Sequence, residues 1–444
     1  MLTRLADSEL WTRQKAVYEA LGMRAWSDGV VPWRATTCPL LADVEAGLVA
    51  AFAEDVGPVT LVDVGAGTGR LAFHLARALA ARDVPAHIIL TDVAPSNLEA
   101  LARQPQLAQL AATNRVSFAT FDALAPTRLA RGPVVLLAHY LFDTLPHAAH
   151  RRRGDETFEG LVDVAVEPWR WSFEPAPFPT CLRGRGDGTF LVPVGAARAL
   201  EAWRSRFDGP LLVLAADKGV EPRSADELPL LARHGSTSAG VDFEALAALV
   251  EPTYRALAPQ QPSHVFALFA FVSGATTPSL EQAWRARGSR GEVLSLLEAF
   301  ERLLGSEPDV STLLAFLERT AGDPDLLAQL AGRLRAATLD EAQARTLVRH
   351  LATAGDRHFV FPQQLDVPFE LAITAHHLGA LELACALYTL SLRESGAHPS
   401  TLLNLALAHE ALGRRAQAKE VIEVLLAHTP DHPRALALLE QWAG

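Results

Sequence analysis

A glycine-rich turn follows the first strongly apolar run of the sequence. In VTLVDVGAGTGRLAFHLARAL, residues 59–79, Asp63 precedes three glycines at Gly65, Gly67 and Gly69. Glycines in such a turn let the backbone approach a ligand closely, and the helix that follows offers oriented N–H groups. Dinucleotide-binding turns space their glycines as GxGxxG, whereas the spacing here is GxGxG. The turn therefore indicates a cofactor site of another kind.

Three further aspartates follow apolar runs in the same way. Asp92 ends AHIILTD, Asp122 follows VSFATF, and Asp143 follows PVVLLAHYLF. Alone, each would be interpreted as a helix cap or a loop ion pair, because Asp is favoured at helix starts. Four acids at the carboxyl ends of successive strands, however, meet at the edge where open α/β sheets bind ligands. We therefore expect a single site there.

The turn and its aspartates resemble the cofactor site of class I S-adenosylmethionine (SAM)-dependent methyltransferases. Asp63 and the glycines resemble motif I of that class, which packs against the amino-acid end of SAM. By the same resemblance Asp92 accepts hydrogen bonds from both ribose hydroxyls, and Asp122 reads the adenine edge. SAM is thus the expected cofactor, S-adenosylhomocysteine (SAH) the product, and no metal is expected. The predicted cofactor-binding residues are Asp63, Gly65, Ala66, Gly67, Gly69, Asp92, Val93, Asp122 and Ala123.

Other segments resemble the MidA-type methyltransferases, a family that includes a mitochondrial protein arginine methyltransferase required for respiratory complex I assembly. The segment AHYLFDTLPH, residues 138–147, is similar to the signature after the fourth strand of that family. Further similar segments are WRATTCPLLAD (33–43), LAADKGV (214–220) and HGSTSAGVDFEAL (234–246). The similarity spans roughly residues 15–275.

One departure from that family concerns the methyl acceptor. The family signature usually begins Asn-Glu, and a glutamate would pair bidentately with a guanidinium. This chain has His139 and Tyr140 at those two positions. A phenol is neutral near pH 7. We therefore expect an acceptor that is less cationic than peptidyl arginine, or one whose charge is met elsewhere.

The catalytic candidates follow from the chemistry of methyl transfer. An amine or guanidinium nucleophile must lose a proton around the time of transfer, so a proton acceptor nearby helps. Asp143, Tyr140 and His139 are the candidates, whereas His147 is expected to be a buried structural histidine. The leading hypothesis is N-methylation of a protein side chain. The alternatives are O- or N-methylation of a small molecule, and a cofactor-binding assembly factor or adaptor that acts through C-terminal repeats.

These residues need a parallel sheet to bring them together. From about residue 59, short β-branched runs alternate with helical stretches, which is typical of an α/β fold. Strands are expected near Val59, Ala86, Val116, Pro133, Leu211 and His264. An insertion at about 139–210 interrupts the series, and the alternation in residues 156–175 predicts a hairpin within it. The predicted fold is a Rossmann-like class I methyltransferase sheet with a C-terminal all-α domain.

The predicted domains are a helical cap on the substrate and cofactor site (1–58), the methyltransferase (59–275) and a helical domain (280–444). In the last, Leu371, Gly379 and Ala384 recur 34 positions later as Leu405, Gly413 and Ala418. This period resembles tetratricopeptide repeats, expected over about 368–444. Such an array could bind a partner or only complete the fold.

Composition limits the remaining possibilities. A formal net charge of -11 leaves no basic excess for nucleic acid or anionic membrane. The three cysteines lie far apart and match neither a disulfide framework nor a metal site. The N-terminal segment lacks the apolar core of a signal peptide, so a cytoplasmic location is expected. The oligomeric state stays open.

Overall fold

The computed structural model describes residues 1–27, 34–233, 237–261, 263–361 and 365–443. Trp33 and His234, which belong to two of the family-like segments, lie outside the described residues. The chain divides into two compact units, Met1–Ser295 and Leu296–Gly444.

The strands of the first unit form two main sheets. They are β1 (Thr3–Arg4), β2 (Thr60–Val64), β3 (His87–Asp92), β4 (Val116–Thr120), β5 (Val134–His139), β6 (Ala148–Arg153), β7 (Glu156–Asp163), β8 (Arg170–Pro175), β9 (Gly188–Val192), β10 (Leu211–Asp217), β11 (Leu231–Arg233), β12 (Thr237–Ala239), β13 (Arg255–Leu257) and β14 (Ala267–Ser273). A small separate pair is formed by β11 and β12.

The larger sheet has seven strands in the order β13-β14-β10-β5-β2-β3-β4. Pairing is parallel from β10 through β4, whereas β14 runs antiparallel to both of its neighbours. Every residue of β10 and β14 is buried, which explains their unbroken apolar sequences. The carboxyl ends of five parallel strands therefore share one edge. The predicted α/β fold and its strands are confirmed.

Helices pack around this sheet. Those of the first unit are α1 (Leu10–Leu21), α2 (Arg24–Ser27), α3 (Arg34–Thr37), α4 (Pro39–Val56), α5 (Arg70–Ala80), α6 (Pro95–Arg103), α7 (Pro105–Ala112), α8 (Val194–Arg206), α9 (Phe243–Val250) and α10 (Pro278–Ala286). Short 3-10 helices cover Leu5–Asp7, Phe142–Thr144, Thr180–Leu182 and Gly288–Arg290. Proline in the first turn of α4, α6, α7 and α10 suits a helix start, where its missing N–H has no intrahelical partner.

The helix α10 was expected to begin the C-terminal domain, but it lies in the first unit. It packs on α4, and the Asp55 carboxylate at the end of α4 accepts hydrogen bonds from the Ser279 and Leu280 amides at 3.1 and 3.0 Å. These two amides belong to the first turn of α10, which has no intrahelical acceptor for them. The second unit therefore begins at Leu296, and not at about residue 280.

The insertion contributes the second main sheet. Its strand order is β1-β7-β6-β9, with β8 also paired to β7. The antiparallel pair β7 and β8 confirms the hairpin predicted over residues 156–175. The insertion ends earlier than expected, because α8 packs in the main core through Leu200 and Trp203. The strand β1 adds a β element to the N-terminal region predicted to be helical.

The second unit is helical. Its helices are α11 (Glu292–Leu304, which begins in the first unit), α12 (Val310–Arg319), α13 (Pro324–Ala336), α14 (Glu341–Arg357), α15 (Val367–His377), α16 (Leu381–Ser395), α17 (Pro399–Ala411), α18 (Arg415–His428) and α19 (Pro433–Ala443). The pairs α15/α16 and α17/α18 each turn at a glycine with φ 73°, Gly379 and Gly413, which lie 34 positions apart. The structure thus shows two helical hairpins, and their assignment to the tetratricopeptide class stays a prediction. Within the described ranges, no helix has the length and apolar character needed to cross a bilayer.

Candidate active site

A cavity of about 640 Å³ lies where the parallel strands of the larger sheet end. Residues directly after β2, β3, β4, β5 and β10 line it, together with residues of α1. Its size lies within the range of roughly 300–1,000 Å³ that is usual for pockets that bind cofactors and small substrates. The topology thus places the cavity at the edge where ligands of open α/β sheets bind.

The glycine turn lines this cavity with Gly65, Ala66 and Gly67. Gly65 and Gly67 have φ values of 71° and 55°, a left-handed conformation that favours glycine. A Cβ on Gly67 would come within 3.0 Å of the Trp26 indole, so the wall leaves no room for a side chain there. The amide of Ala66 donates to the Thr91 carbonyl at 2.8 Å, which ties the turn to β3.

Gly69 has a different role from the one predicted. A Cβ there would lie 2.5 Å from Leu107 Cδ1, so Gly69 faces the side chains of α6 and α7, and it does not line the cavity. Gly69 lies directly before α5 and has a φ of 74°, in the left-handed region that favours glycine. The third glycine is therefore required by packing and backbone conformation.

Asp92 is buried at the end of β3 and lines the cavity, as does the next residue, Val93. The Ala94 amide donates to Asp92 Oδ1 at 2.8 Å, and the Asn97 side-chain amide donates to Oδ2 at 3.1 Å. Burial raises the pKa of this carboxyl. Each oxygen keeps a second acceptor position, which fits the two hydroxyls of a ribose.

Asp122 and Ala123 line the cavity after β4. The Lys15 ammonium of α1 lies 2.8 Å from Asp122 Oδ2, and the Leu124 amide donates to Oδ1 at 2.9 Å. Although partial burial acts to raise its pKa, the hydrogen bond from Lys15 holds the pKa of Asp122 below its usual value. Asp122 is therefore ionised, and it joins α1 to the sheet.

Beside the glycine turn lies a buried group of charged residues. His139 Nε2 lies 2.7 Å from Oε1 of Glu45, a fully buried residue of α4. Burial acts to lower the pKa of His139, but the Glu45 carboxylate outweighs it, and the pKa is raised. For Asp63, burial raises the pKa to about 7, with His139 acting against it. Among the described residues, His139 Nδ1 and Asp63 Oδ2 have no hydrogen-bond partner.

This pairing changes the role expected for His139. An imidazolium has no lone pair with which to accept a proton. Because Glu45 favours the protonated form of His139, the ring suits an Nδ1–H donor at the cavity better than the predicted role of proton acceptor.

Tyr140 and Asp143 lie further along the same wall, next to β10. Tyr140 has φ 46°, which is unusual for a residue other than glycine, and its amide donates to the Ala216 carbonyl at 2.9 Å. Burial and the nearby carboxyls raise the pKa of its phenol far above the usual value. Tyr140 therefore stays neutral.

Asp143 is buried beside Asp217, the last residue of β10. The amides of Asp143 and Lys218 donate to the two oxygens of Asp217 at 3.1 and 2.9 Å. Burial raises the pKa of both carboxyls, that of Asp143 to about 7. Asp143 Oδ1 has no hydrogen-bond partner in the described part of the chain. Asp143 lies within the 3-10 helix Phe142–Thr144 and makes no cap bond with its side chain, so it is not a helix cap.

Aromatic side chains of the N-terminal region complete the wall. Trp11, Tyr18 and Trp26 line the cavity, and the Trp11 indole donates to the Leu5 carbonyl at 2.7 Å. His147 lies 5.8 Å from Trp11 between ring centroids and is fully buried. Burial lowers its pKa to about 4, which agrees with the structural role expected for it.

The residues that line the cavity are suited to binding SAM. The carboxylate of Asp92 keeps acceptor positions for the hydroxyls of a ribose. The glycine turn presents a surface without side chains. Among the described residues, Asp63 Oδ2 and His139 Nδ1 have no hydrogen-bond partner, so they are available to polar groups of the cofactor. When bound, SAM supplies a methyl group on a sulfonium. The fold and the site thus define the class of a SAM-dependent methyltransferase.

Comparison with known proteins agrees with this class. Residues 46–183 match the sequence model of a family described as "Putative S-adenosyl-L-methionine-dependent methyltransferase". The chain is a SAM-dependent methyltransferase. No curated protein matches it.

Two similar solved structures come from Burkholderia thailandensis. One is an uncharacterized protein that is 18% identical, with 62% of this chain and 88% of the other covered and a TM-score of 0.44. The second, bound to S-adenosyl-homocysteine, is 19% identical, with 64% and 97% covered and a TM-score of 0.43.

Several functional residues could not be found from the sequence. Glu45 lies within a helix, Asn97 inside another, and Lys15 and Trp11 on α1, with no motif around them. Lys218 belongs to a segment that resembles the family, but no residue type or spacing around it predicted a role for its side chain. Their roles arise from contacts between positions that are distant in the chain, such as Glu45 and His139, 94 residues apart.

Proposed function

We propose that this enzyme transfers the methyl group of SAM to a nitrogen of a protein side chain that is less cationic than arginine. The observation that carries the proposal is Asp143, a buried carboxyl on the cavity wall with an unpartnered Oδ1 in the described structure and a pKa of about 7. A general base is most effective when its pKa lies near the operating pH.

In this mechanism Asp143 removes the proton that the acceptor nitrogen must lose. Asp217 keeps Asp143 in place by accepting its amide hydrogen bond, and burial keeps the Asp143 pKa high although Lys218 acts to lower it. Tyr140, a neutral phenol, orients the acceptor by hydrogen bonding. The aromatic wall from α1 excludes water from the reacting atoms, which favours alignment of nucleophile and methyl group.

The charge of the wall supports an acceptor other than a guanidinium. Tyr140 carries no charge, and burial raises the pKa of Asp143 and of Asp217, so the two carboxyls together carry less than two full negative charges near pH 7. Lys218 adds a positive charge to the same wall. A cationic side chain would therefore meet little net negative charge there.

A small-molecule acceptor is the second candidate. It is favoured by the aromatic residues of α1 and α2, which line the cavity together with the residues after the strand ends. A wall of this kind suits a compact acceptor as well as a side chain.

Transfer of labelled methyl groups tests both candidates. The protein is incubated with SAM labelled in the methyl group and a cell lysate that is then split into protein and small-molecule fractions. Label on nitrogen in the protein fraction supports the leading proposal, and label only in the small-molecule fraction supports the second. Label on neither, with SAH still bound by calorimetry, contradicts methylation at this site. Asp143→Asn is the matched negative control.

A further inference from the structure

We propose that Lys218 binds a carboxylate on the methyl acceptor, so that the enzyme selects acceptors with an acidic group close to the nucleophile. This inference rests on the proposed function, because it places the acceptor beside Asp143 and Tyr140. It names a class of substrate and a residue that determines specificity.

The first argument is the distribution of basic residues. Lys15, Lys218 and Lys419 are the lysines among 40 basic residues, and all the others are arginine. Two of these three lysines line the cavity, whereas the described lining includes no arginine. The chain thus has lysine at the two positions where a basic side chain faces the site.

The second argument is that only one of these lysines is already engaged. Lys15 lies 2.8 Å from Asp122. Lys218 forms no ion pair with any described carboxylate, and its Nζ lies 5.9 Å from the centroid of the Tyr140 ring. An ammonium at that distance gains a modest cation–π attraction and keeps its hydrogen-bond donors available.

The third argument is that the backbone fixes where this side chain begins. The Lys218 amide donates to Asp217 Oδ1 at 2.9 Å, and its carbonyl accepts from the Val241 amide at 2.8 Å. The following Gly219 packs so closely that a Cβ would lie 2.3 Å from the Ser263 carbonyl oxygen. The Lys218 side chain therefore starts from a fixed position of the backbone.

The fourth argument concerns what faces Lys218. Asp143 and Asp217 both interact electrostatically with Lys218, and burial raises the pKa of both carboxyls, so together they carry less than two full negative charges near pH 7. This part of the wall therefore places Lys218 beside carboxyls that are partly protonated near pH 7. A carboxylate on the acceptor would pair with the ammonium without meeting a second full charge.

The position of Lys218 separates this role from cofactor binding. Lys218 follows β10, and β5 lies between β10 and β2, which carries the glycine turn. Two strand spacings amount to about 10 Å. The lysine is thus on the side of the cavity that holds Tyr140 and Asp143.

Calorimetry on the SAH-loaded full-length protein tests the inference without requiring turnover. The probes are benzoate, benzamide and benzylamine, which share a ring suited to the Trp11 and Tyr140 walls and differ in charge. We expect benzoate to bind most tightly, and Lys218→Met to weaken it about ten- to a hundredfold, as expected for loss of a charged hydrogen bond. Benzamide binding should stay unchanged, and Lys218→Arg should retain much of the preference.

Lys419→Met, on α18, is the matched control and should behave as the wild type. Equal affinity for the three probes, or an unchanged benzoate affinity in Lys218→Met, would overturn the inference. So would a loss of SAH affinity in that variant, since the lysine would then bind the cofactor. A thermal melt of each variant verifies folding.

The labelled lysate separates this inference from the proposed function. If a labelled nitrogen compound is found and Lys218→Met methylates it as well as the wild type, the inference alone fails. If benzoate selectivity depends on Lys218 but no nitrogen is labelled, the proposed function alone fails. Label in the protein fraction assigns the carboxylate to an acidic peptide, and label in the small-molecule fraction assigns it to a free acid.

Discussion

Asp143 is the residue on which the proposed proton transfer depends. We expect Asp143→Asn to lower turnover at least a hundredfold while SAH affinity stays within a fewfold, because the base acts on the acceptor and is worth about 10²–10⁴ in rate. Turnover and calorimetry measured on the same preparation provide the comparison. A variant that keeps its activity and only melts earlier would leave Asp143 with a structural role.

The pKa of Asp143 predicts how activity depends on pH. The carboxyl has a pKa of about 7, and only its ionised form accepts a proton. We therefore expect kcat/KM to fall about tenfold per pH unit below 7 and to level off above it. The profile is measured with SAM saturating. An acid limb that persists unchanged in Asp143→Asn would assign the titration to another group, such as Asp63.

A substitution at Asp92 tests the part of the site that is expected to bind the cofactor. Asp92→Ala should weaken SAH binding roughly ten- to a hundredfold, because a charged hydrogen-bond acceptor contributes about 1.5–3 kcal/mol. Asp155→Ala, in the exposed turn between β6 and β7, is a suitable control. Unchanged calorimetric affinity in Asp92→Ala would show that the ribose is held by other groups.

At the scale of elements, α4 and β5 are joined by the buried pair of Glu45 and His139. Glu45→Ala removes the partner of the buried His139 ring, which must then stay charged without a counter-ion or lose its proton, and we expect the protein to be destabilised by up to about 3–5 kcal/mol. Glu45→Ala combined with His139→Ala should cost less than the sum of the two changes. Chemical denaturation measures all three variants, and additive losses would contradict a direct pairing.

The same pair has a defined pH dependence. The pKa of His139 is raised in the folded protein, so its stabilisation is fully present below about pH 6.5, the unfolded value, and is lost as the pH rises through the folded value. Glu45→Gln should lack this dependence. Denaturation at several pH values distinguishes the two proteins.

Elements differed in how well their sequences predicted them. The strands β2, β3, β5 and β10 are long apolar runs buried on both faces, and such runs identify parallel strands without further context. The pairing of Glu45 with His139 has no local signal, because it depends on how α4 docks.

Gly69 fitted the motif by spacing, although the lack of a side chain at this position is required by the contact with Leu107. The position of α10 was missed because Asp55, which holds its first turn, lies 224 residues earlier than Ser279.

At the scale of the whole molecule, the helical unit depends on its own internal packing. Removing residues 367–444 should lower solubility and the melting temperature, because α15 packs on α13, and Arg335 lies 2.8 Å from Glu370. Size-exclusion chromatography and thermal melting of the truncated protein are the measurements. A monomer with an unchanged melting temperature would show that α15–α19 form an independent array.

The strand β1 has a consequence for the order in which the enzyme is assembled during synthesis. Thr3 pairs with Val162, so this strand leaves the ribosome long before its partner has been made. Until then the backbone N–H and C=O groups of β1 have no strand partner, and the charge of Arg4 discourages their pairing with other chains. Trp11 and Lys15 lie on α1, which follows β1 and the 3-10 helix Leu5–Asp7. Nascent chains arrested before residue 156 would therefore lack the support for the α1 wall, and SAM binding would begin only after the inserted sheet has emerged.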